Sequence, residues 1–112
     1  MSSTTVTRGN AHEVFYIQPT FDNTSNSLAA NTTTAVTYNV PGLQTSDQII
    51  VVGYNGSQTA GVVIAEADCL TAGVLSVQFG NLTATATLKP ASGVYTLQII
   101  RLEGNPAPTN AA

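Results

Sequence analysis

Turn-forming residues interrupt this sequence about every ten positions, and the stretches between them alternate with a period of two rather than 3.6. Pro19, Pro41-Gly42, Asn55-Gly56, Gly80-Asn81 and Pro90 to Gly93 are the punctuation. Pro and Gly break regular structure, and Asn-Gly tolerates the positive φ of a tight turn. No segment between them carries an apolar helical stripe long enough for a packed helix. The chain therefore reads as seven to eight short strands.

Val14 to Ile17 is a β-branched and aromatic run that stops at Pro19. Thr34, Val36, Tyr38 and Val40 alternate with Ala35, Thr37 and Asn39, the signature of a half-buried strand. Gln48 to Tyr54 is apolar on both faces at Ile49, Ile50, Val51 and Val52 and so needs cover on both. The second sheet would supply one cover. The other would come from a sister subunit or from the domain's own loops. Asn55-Gly56 predicts a hairpin into a returning strand at Ala60 to Ala65, and Leu70 to Gly73 predicts a loop. Leu75, Val77 and Phe79 alternate next, and Gly80-Asn81 predicts a turn. Leu82, Ala84, Ala86 and Leu88 opposite Thr83, Thr85 and Thr87 form the cleanest alternation in the chain. Val94 to Leu102 closes the domain, with Tyr95, Leu97 and Ile99 on one face. The expected fold is an antiparallel β-sandwich of jelly-roll-like kind at residues 14–103. A polar N-terminal arm at 1–13 precedes it, and a Pro/Ala-rich tail at 104–112 follows.

Charge narrows the function. Only 8 % of the 112 residues are charged, against about 25 % in ordinary soluble domains. Arg8, Lys89 and Arg101 are the only strong bases, and the formal net charge is −3. Nucleic-acid binding needs clustered cations to release counterions, and an anionic membrane surface makes the same demand, so neither is expected as a partner. A weakly charged, 43 % hydrophobic chain is prone to association. Cys69, the single cysteine, leaves the fold without an internal disulfide and is expected as a small hydrophobe in or near the core. Met1 to Arg8 lacks the apolar stretch of a signal peptide, so synthesis in a cytoplasm is expected. Four Asn-x-Ser/Thr sequons, at Asn23, Asn31, Asn55 and Asn81, are what a chain this rich in Asn and Thr produces by chance.

Catalytic chemistry finds no constellation. His12 is the only imidazole and lies far along the chain from Cys69, so nucleophile, base and orienting acid do not assemble. Glu66 and Asp68 would share a face on a continuing strand, but the strand is expected to end there as a solvated edge. Zinc ligands are too few. Asp22 to Asn26 resembles a calcium loop faintly, but Ser27 and Thr33 stand where the loop needs Gly and Glu. No enzyme activity, metal or cofactor is expected. Interface anchors are often aromatic. Phe15, Tyr16, Phe21 and Tyr54 near edges and turns are candidates, together with Ile50 and Val52 on the two-faced strand. The bland alternative is that the aromatics close the ends of the core.

Ser27-Leu-Ala-Ala-Asn-Thr-Thr-Thr-Ala, Tyr38-Asn-Val-Pro-Gly-Leu and Ser46-Asp-Gln-Ile-Ile-Val-Val lead into Gly61-Val-Val-Ile-Ala-Glu-Ala-Asp. Gly73 to Ala84, with Gly80-Asn-Leu-Thr at its centre, and Lys89 to Arg101, with Tyr95-x-Leu-x-Ile, complete the pattern. Over residues 27–103 the chain resembles the small β-sandwich proteins that tailed bacteriophages encode near their capsid genes, several of them head decoration, or cement, proteins. The resemblance implies a jelly-roll-like homotrimer on the outer surface of the virion head, with the major capsid protein as partner. It carries over no catalytic or contact residue, and the polar N-terminal arm matches none of the family's motifs. A fibre or tail adhesion module would instead group exposed aromatics at loop tips. A carbohydrate-binding module would present an aromatic platform and, in a cell, a secretion signal.

Overall fold

The computed structural model describes residues 12–102. Most of the expected arm, 1–13, and all of the tail, 104–112, lie outside them. Seven strands form two antiparallel sheets packed as a sandwich: β1 (His12–Ile17), β2 (Thr20–Phe21), β3 (Thr33–Asn39), β4 (Gln48–Tyr54), β5 (Val62–Thr71), β6 (Val74–Asn81) and β7 (Gly93–Leu102). β7 is the centre of the first sheet, with β1 and then β2 along one side and β4 along the other. Gln18 and Pro19 break what is otherwise one line of pairing, because proline has no N–H to donate. The second sheet runs β3–β6–β5. The β5–β6 connection is a hairpin, whereas β2–β3, β3–β4, β4–β5 and β6–β7 each pass from one sheet to the other. Such sheet-crossing connections fit a jelly-roll-like sandwich.

The core lies between the sheets. β7 contributes Tyr95, Leu97 and Ile99, β6 contributes Leu75, Val77 and Phe79, and Val36, Ile49 and Val62 come from their neighbours. All follow the period-2 rule, since one face of each strand meets the other sheet. An aromatic group closes one end. Phe21 stacks on Tyr38 with ring centroids 3.7 Å apart and planes 8° from parallel, and Tyr95 tilts against Phe21 and Tyr54 and meets Phe79 edge-on. The Asn23 side chain is buried beside it. It accepts from Tyr38 Oη and donates to Ala91 O, while Tyr95 Oη donates to Ala91 O and accepts from Gln58 Nε2.

Expectations at three places along the chain are corrected. Asn55-Gly56 is not a hairpin between paired strands. Asn55 N still donates to Val94 O, after which the chain leaves β7 and crosses to the second sheet. The observed hairpin lies at Ala72-Gly73, where a loop from Leu70 was expected. β5 runs through to Thr71, and Gly73 supplies the positive φ of +80°. The strand also does not end at Glu66. A bulge at Ala65 absorbs one residue, and β5 continues beyond it.

The third correction concerns the cleanest alternation in the chain. Leu82 to Leu88 is not a strand. Its one ladder-type pairing is an isolated bridge, Leu28 to Leu88, and Leu82 is 70 % exposed. Gly80-Asn81 is not a turn but the buried end of β6, paired with Val63 and Val62. The reason is the Asn81 side chain. Its Nδ2 donates to Leu28 O and Ala86 O, and its Oδ1 accepts from Thr83 N and Thr83 Oγ1. Local side-chain bonds of this kind offer the backbone an alternative to a ladder. Alanines and threonines have little apolar area to contest it. Asn81→Ala leaves two carbonyls without their donor and is expected to cost about 2–3 kcal/mol, read from urea denaturation. Leu82→Ser on the same loop is expected to change stability by less than about 0.5 kcal/mol.

Candidate functional site

The outer faces of the two sheets differ in chemistry. On the second sheet the register aligns Ala35, Gln78 and Glu66 in one row and Thr37, Ser76 and Asp68 in the next. These rows are polar and carry two carboxylates, while β5 also exposes Val63 and Leu70. Because β5 continues past its bulge, Glu66 and Asp68 share it instead of marking a strand end. Asp68 Oδ1 is shielded from solvent and has no hydrogen-bond partner.

The first sheet is the reverse. Its register sets Val14, Ile100 and Gln48 in one row and Tyr16, Gln98 and Ile50 in the next. Val52 and Val94 extend the face along the strands. Tyr16 is 64 %, Ile50 48 % and Val52 58 % exposed, with Val14 and Val94 also open to solvent. The hydrogen-bonding groups here are neutral. Gln98 Nε2 donates to Tyr16 Oη, and Thr96 Oγ1 accepts from Gln18 Nε2 and donates to Asn55 Oδ1. None of these side chains is ionisable near neutral pH. Exposed apolar side chains on β1 and β4 thus flank the neutral Gln98 and Thr96 of β7.

A bulge in β4 lies at one end of this face. Val51 pairs with Leu97 and Gly53 with Thr96, so Val52 is the extra residue. Val52 points outward, and the parity of the strand then shifts, returning Tyr54 to the core side opposite Tyr95. Gly53 takes φ +152°, which side-chain-bearing residues rarely adopt.

Of the six candidate interface residues, the structure brings three together on this face: Tyr16, Ile50 and Val52. The other three are corrected. Phe21, 3 % exposed, is core because β2 pairs with β7 and turns it inward against Tyr38. Tyr54 is half-buried, its Oη donating to Ser92 O, because the bulge reverses its facing. Phe15 sits on the inner face opposite Ile99, with the Arg101 guanidinium 5.2 Å from its ring centroid. All three pack with the core, Phe21 within it and Phe15 and Tyr54 against it. Sequence reasoning missed Val14, Val94 and Ile100. The signal was present in β7, where the positions alternating with Tyr95, Leu97 and Ile99 begin and end on a valine and an isoleucine. Among the described residues, no loop covers Ile50 and Val52 of β4 from outside.

The remaining side chains with chemical potential are placed structurally. Cys69 is buried and its Sγ lies 3.1 Å from Thr71 O. Asp22 Oδ1 accepts from Thr24 N and Thr24 Oγ1, which caps the turn and holds the carboxyl below its usual pKa. Asn23 and Asn81, heads of two sequons, have buried amides engaged in hydrogen bonds. Among the described residues, no three His, Cys, Asp or Glu side chains gather as metal ligands, and no helix is long and apolar enough to cross a membrane. A cleft of about 380 Å³ separates the β4 and β5 edges and is lined by Ile49 to Val51 and Ile64 to Ala67. No protein-family model, curated protein or solved structure matches the chain.

One ion pair anchors the corner where β7 ends beside the start of β1. Arg101 grips the buried Asp47 carboxylate through Nε and Nη2, at 2.9 and 2.8 Å, and Nη2 also donates to Gly42 O. These bonds hold Asp47 below the usual carboxylate range, against the opposing pull of burial. A carboxyl lowered on folding stabilises above its unfolded pKa, about 3.9, and loses that contribution as pH falls through the folded value. The urea midpoint is expected to drop between pH 5 and pH 2. Asp47→Asn is expected to lower the pH 7 midpoint and flatten that drop.

Proposed function

We propose that this protein is a virion structural protein, a decoration or cement protein that binds the outer surface of an assembled bacteriophage head and stabilises it as a homotrimer. The observation that carries this reading is the asymmetry of the sandwich: one sheet face carries two carboxylates, the other is apolar, uncharged and open. A small domain built in this way is suited to an assembly, with one face against protein and one against water. The resemblance over residues 27–103 supports the same reading and supplies the head as the assembly. Among the described residues, the buried cysteine and the turn-capping Asp22 give no competing site for chemistry.

A protein that binds the closed shell but not its free subunits shifts the equilibrium toward the shell by mass action. Linking three modest contacts in one trimer multiplies their effect through effective concentration. On this reading the open face of the first sheet meets the major capsid protein. Fibre and glycan-binding readings both need exposed aromatics at loop tips or on a platform. Of the seven aromatic residues only Tyr16 is exposed, and it lies within β1.

Co-sedimentation of the full-length protein with undecorated heads tests the proposal. Saturable binding is expected, together with a higher temperature for head disruption. A protein that stays in the supernatant at concentrations well above that of the capsid subunits overturns it.

A further inference from the structure

We propose that Asn55 is a site of spontaneous deamidation in the folded protein, activated by the Thr96 hydroxyl. Its conversion puts a carboxylate beside the uncharged outer face of the first sheet. This is covalent chemistry of the chain itself and holds whether or not the protein decorates a capsid.

Both sequence and fold single out this residue. The side-chain amide of an asparagine can be attacked by the main-chain nitrogen of the residue after it. A side chain on that residue crowds the nitrogen, so glycine allows the closest approach. Asn55-Gly56 is the only Asn-Gly pair in the 112 residues. Asn23 and Asn81 are buried with their amides engaged, and Thr24 and Leu82 follow them. Asn55 and Gly56 are both exposed, where β4 ends and the chain crosses to the second sheet. The fold also holds the glycine in place. A Cβ at position 56 would lie 2.8 Å from Tyr54 Cε2, and the Tyr54 ring is packed against Tyr95.

The direction of one hydrogen-bond chain sets Asn55 apart from an ordinary exposed asparagine. Gln18 Nε2 donates to Thr96 Oγ1, which leaves the Thr96 proton for Asn55 Oδ1, 2.8 Å away. Each donor in such a chain polarises the next. Asn55 Cγ is thereby made more electrophilic. The hydroxyl already stands where negative charge develops on Oδ1 during attack, which is how an oxyanion hole works. Thr96 is held by its pairing with Gly53, and Asn55 N donates to Val94 O, so donor and acceptor ride on the same two strands. One bond opposes the reaction. Gly56 N donates to Tyr54 O across a three-residue turn and must let go before it can attack.

The step balances with water as the only co-reactant. Gly56 N gives its proton to hydroxide and forms a bond to Asn55 Cγ, and the carbonyl electron pair moves onto Oδ1. When that pair returns, the Cγ–Nδ2 bond breaks and Nδ2 leaves as ammonia with a proton from water. The cyclic imide that remains is opened by water at either carbonyl. One opening gives aspartate at position 55. The other gives isoaspartate, with the main chain routed through the β-carbon. Either way a neutral amide becomes a carboxylate next to Thr96 and Val94.

Incubating the full-length protein in warm, mildly alkaline buffer, followed by intact mass and peptide fragmentation, tests this. The folded wild type is expected to exchange one NH for O at position 55 and to elute later from an anion exchanger. Asn55→Gln should abolish that change. Thr96→Val, with its fold checked by circular dichroism, is expected to slow it about three- to tenfold, the size of one modest hydrogen bond. Gln18→Leu leaves Thr96 in place and should slow it less. In urea above the unfolding midpoint the wild type, Thr96→Val and Gln18→Leu should convert at one rate. A folded wild type that keeps its amide while the unfolded chain loses it overturns the inference, as does modification at another asparagine. Folded Thr96→Val and Gln18→Leu proteins that convert as fast as the wild type overturn the activation by Thr96.

Discussion

Everything between the two sheets is organised around the burial of one phenol. Tyr95 is fully enclosed, and its ring touches aromatic partners on β2, β4 and β6, which brings both sheets to one point. A buried hydroxyl is costly unless it is bonded. Tyr95 Oη meets that demand by donating to Ala91 O and accepting from Gln58 Nε2, while Asn23 holds Ala91 from the other side. Burial raises the pKa of both Tyr95 and Tyr38 above the ordinary phenol value, which favours the neutral hydroxyl. Loops far apart in sequence, at residues 22–26, 58 and 91–92, are thereby tied to the same ring. The sandwich is closed without a disulfide because this end is closed by aromatics and amides.

With that end fixed, β7 is the element the first sheet cannot lose. Every partner strand of that sheet pairs with it: β1 and β2 on one side, β4 on the other. One face of β7 makes core, and the reverse face makes half of the open surface. The two-faced composition of β4, which demands cover on both sides, is met internally by Ile49 and Val51 alone. On the outer side Ile50 and Val52 remain exposed.

Much of this was legible in the sequence, and the failures have physical causes. β1, β3, β4, β6 and β7 were readable because their side chains alternate in size as well as polarity, so that Val, Tyr, Leu and Ile have something to bury. Leu82 to Leu88 alternates as well, but with Ala and Thr, and there the hydrogen-bonding reach of Asn81 outweighs a weak apolar face. Asn55-Gly56 is a turn as read, but a turn does not reveal which sheet the chain enters next. Phe21 and Tyr54 were misplaced for related reasons. Their facing depends on a two-residue strand and on a single bulged residue, neither of which leaves a mark on periodicity. Of the interface candidates, Tyr16, Ile50 and Val52 face outward, whereas Phe15, in the regularly paired β1, faces the core. Val14, Val94 and Ile100 emerge only once the register of three strands distant in sequence is known.

The position of β7 in chain order has a consequence for biosynthesis. The strand at the centre of the first sheet is the last of the seven to leave the ribosome. β1, made first, has no partner until some eighty residues later, and β4 waits as well. The second sheet can form earlier, since β3, β5 and β6 are complete before β7 exists. Non-local pairing of this kind is slow relative to local structure. The open apolar face therefore comes into being only in a finished domain, and a nascent chain never displays it as an ordered surface to its neighbours on the same message.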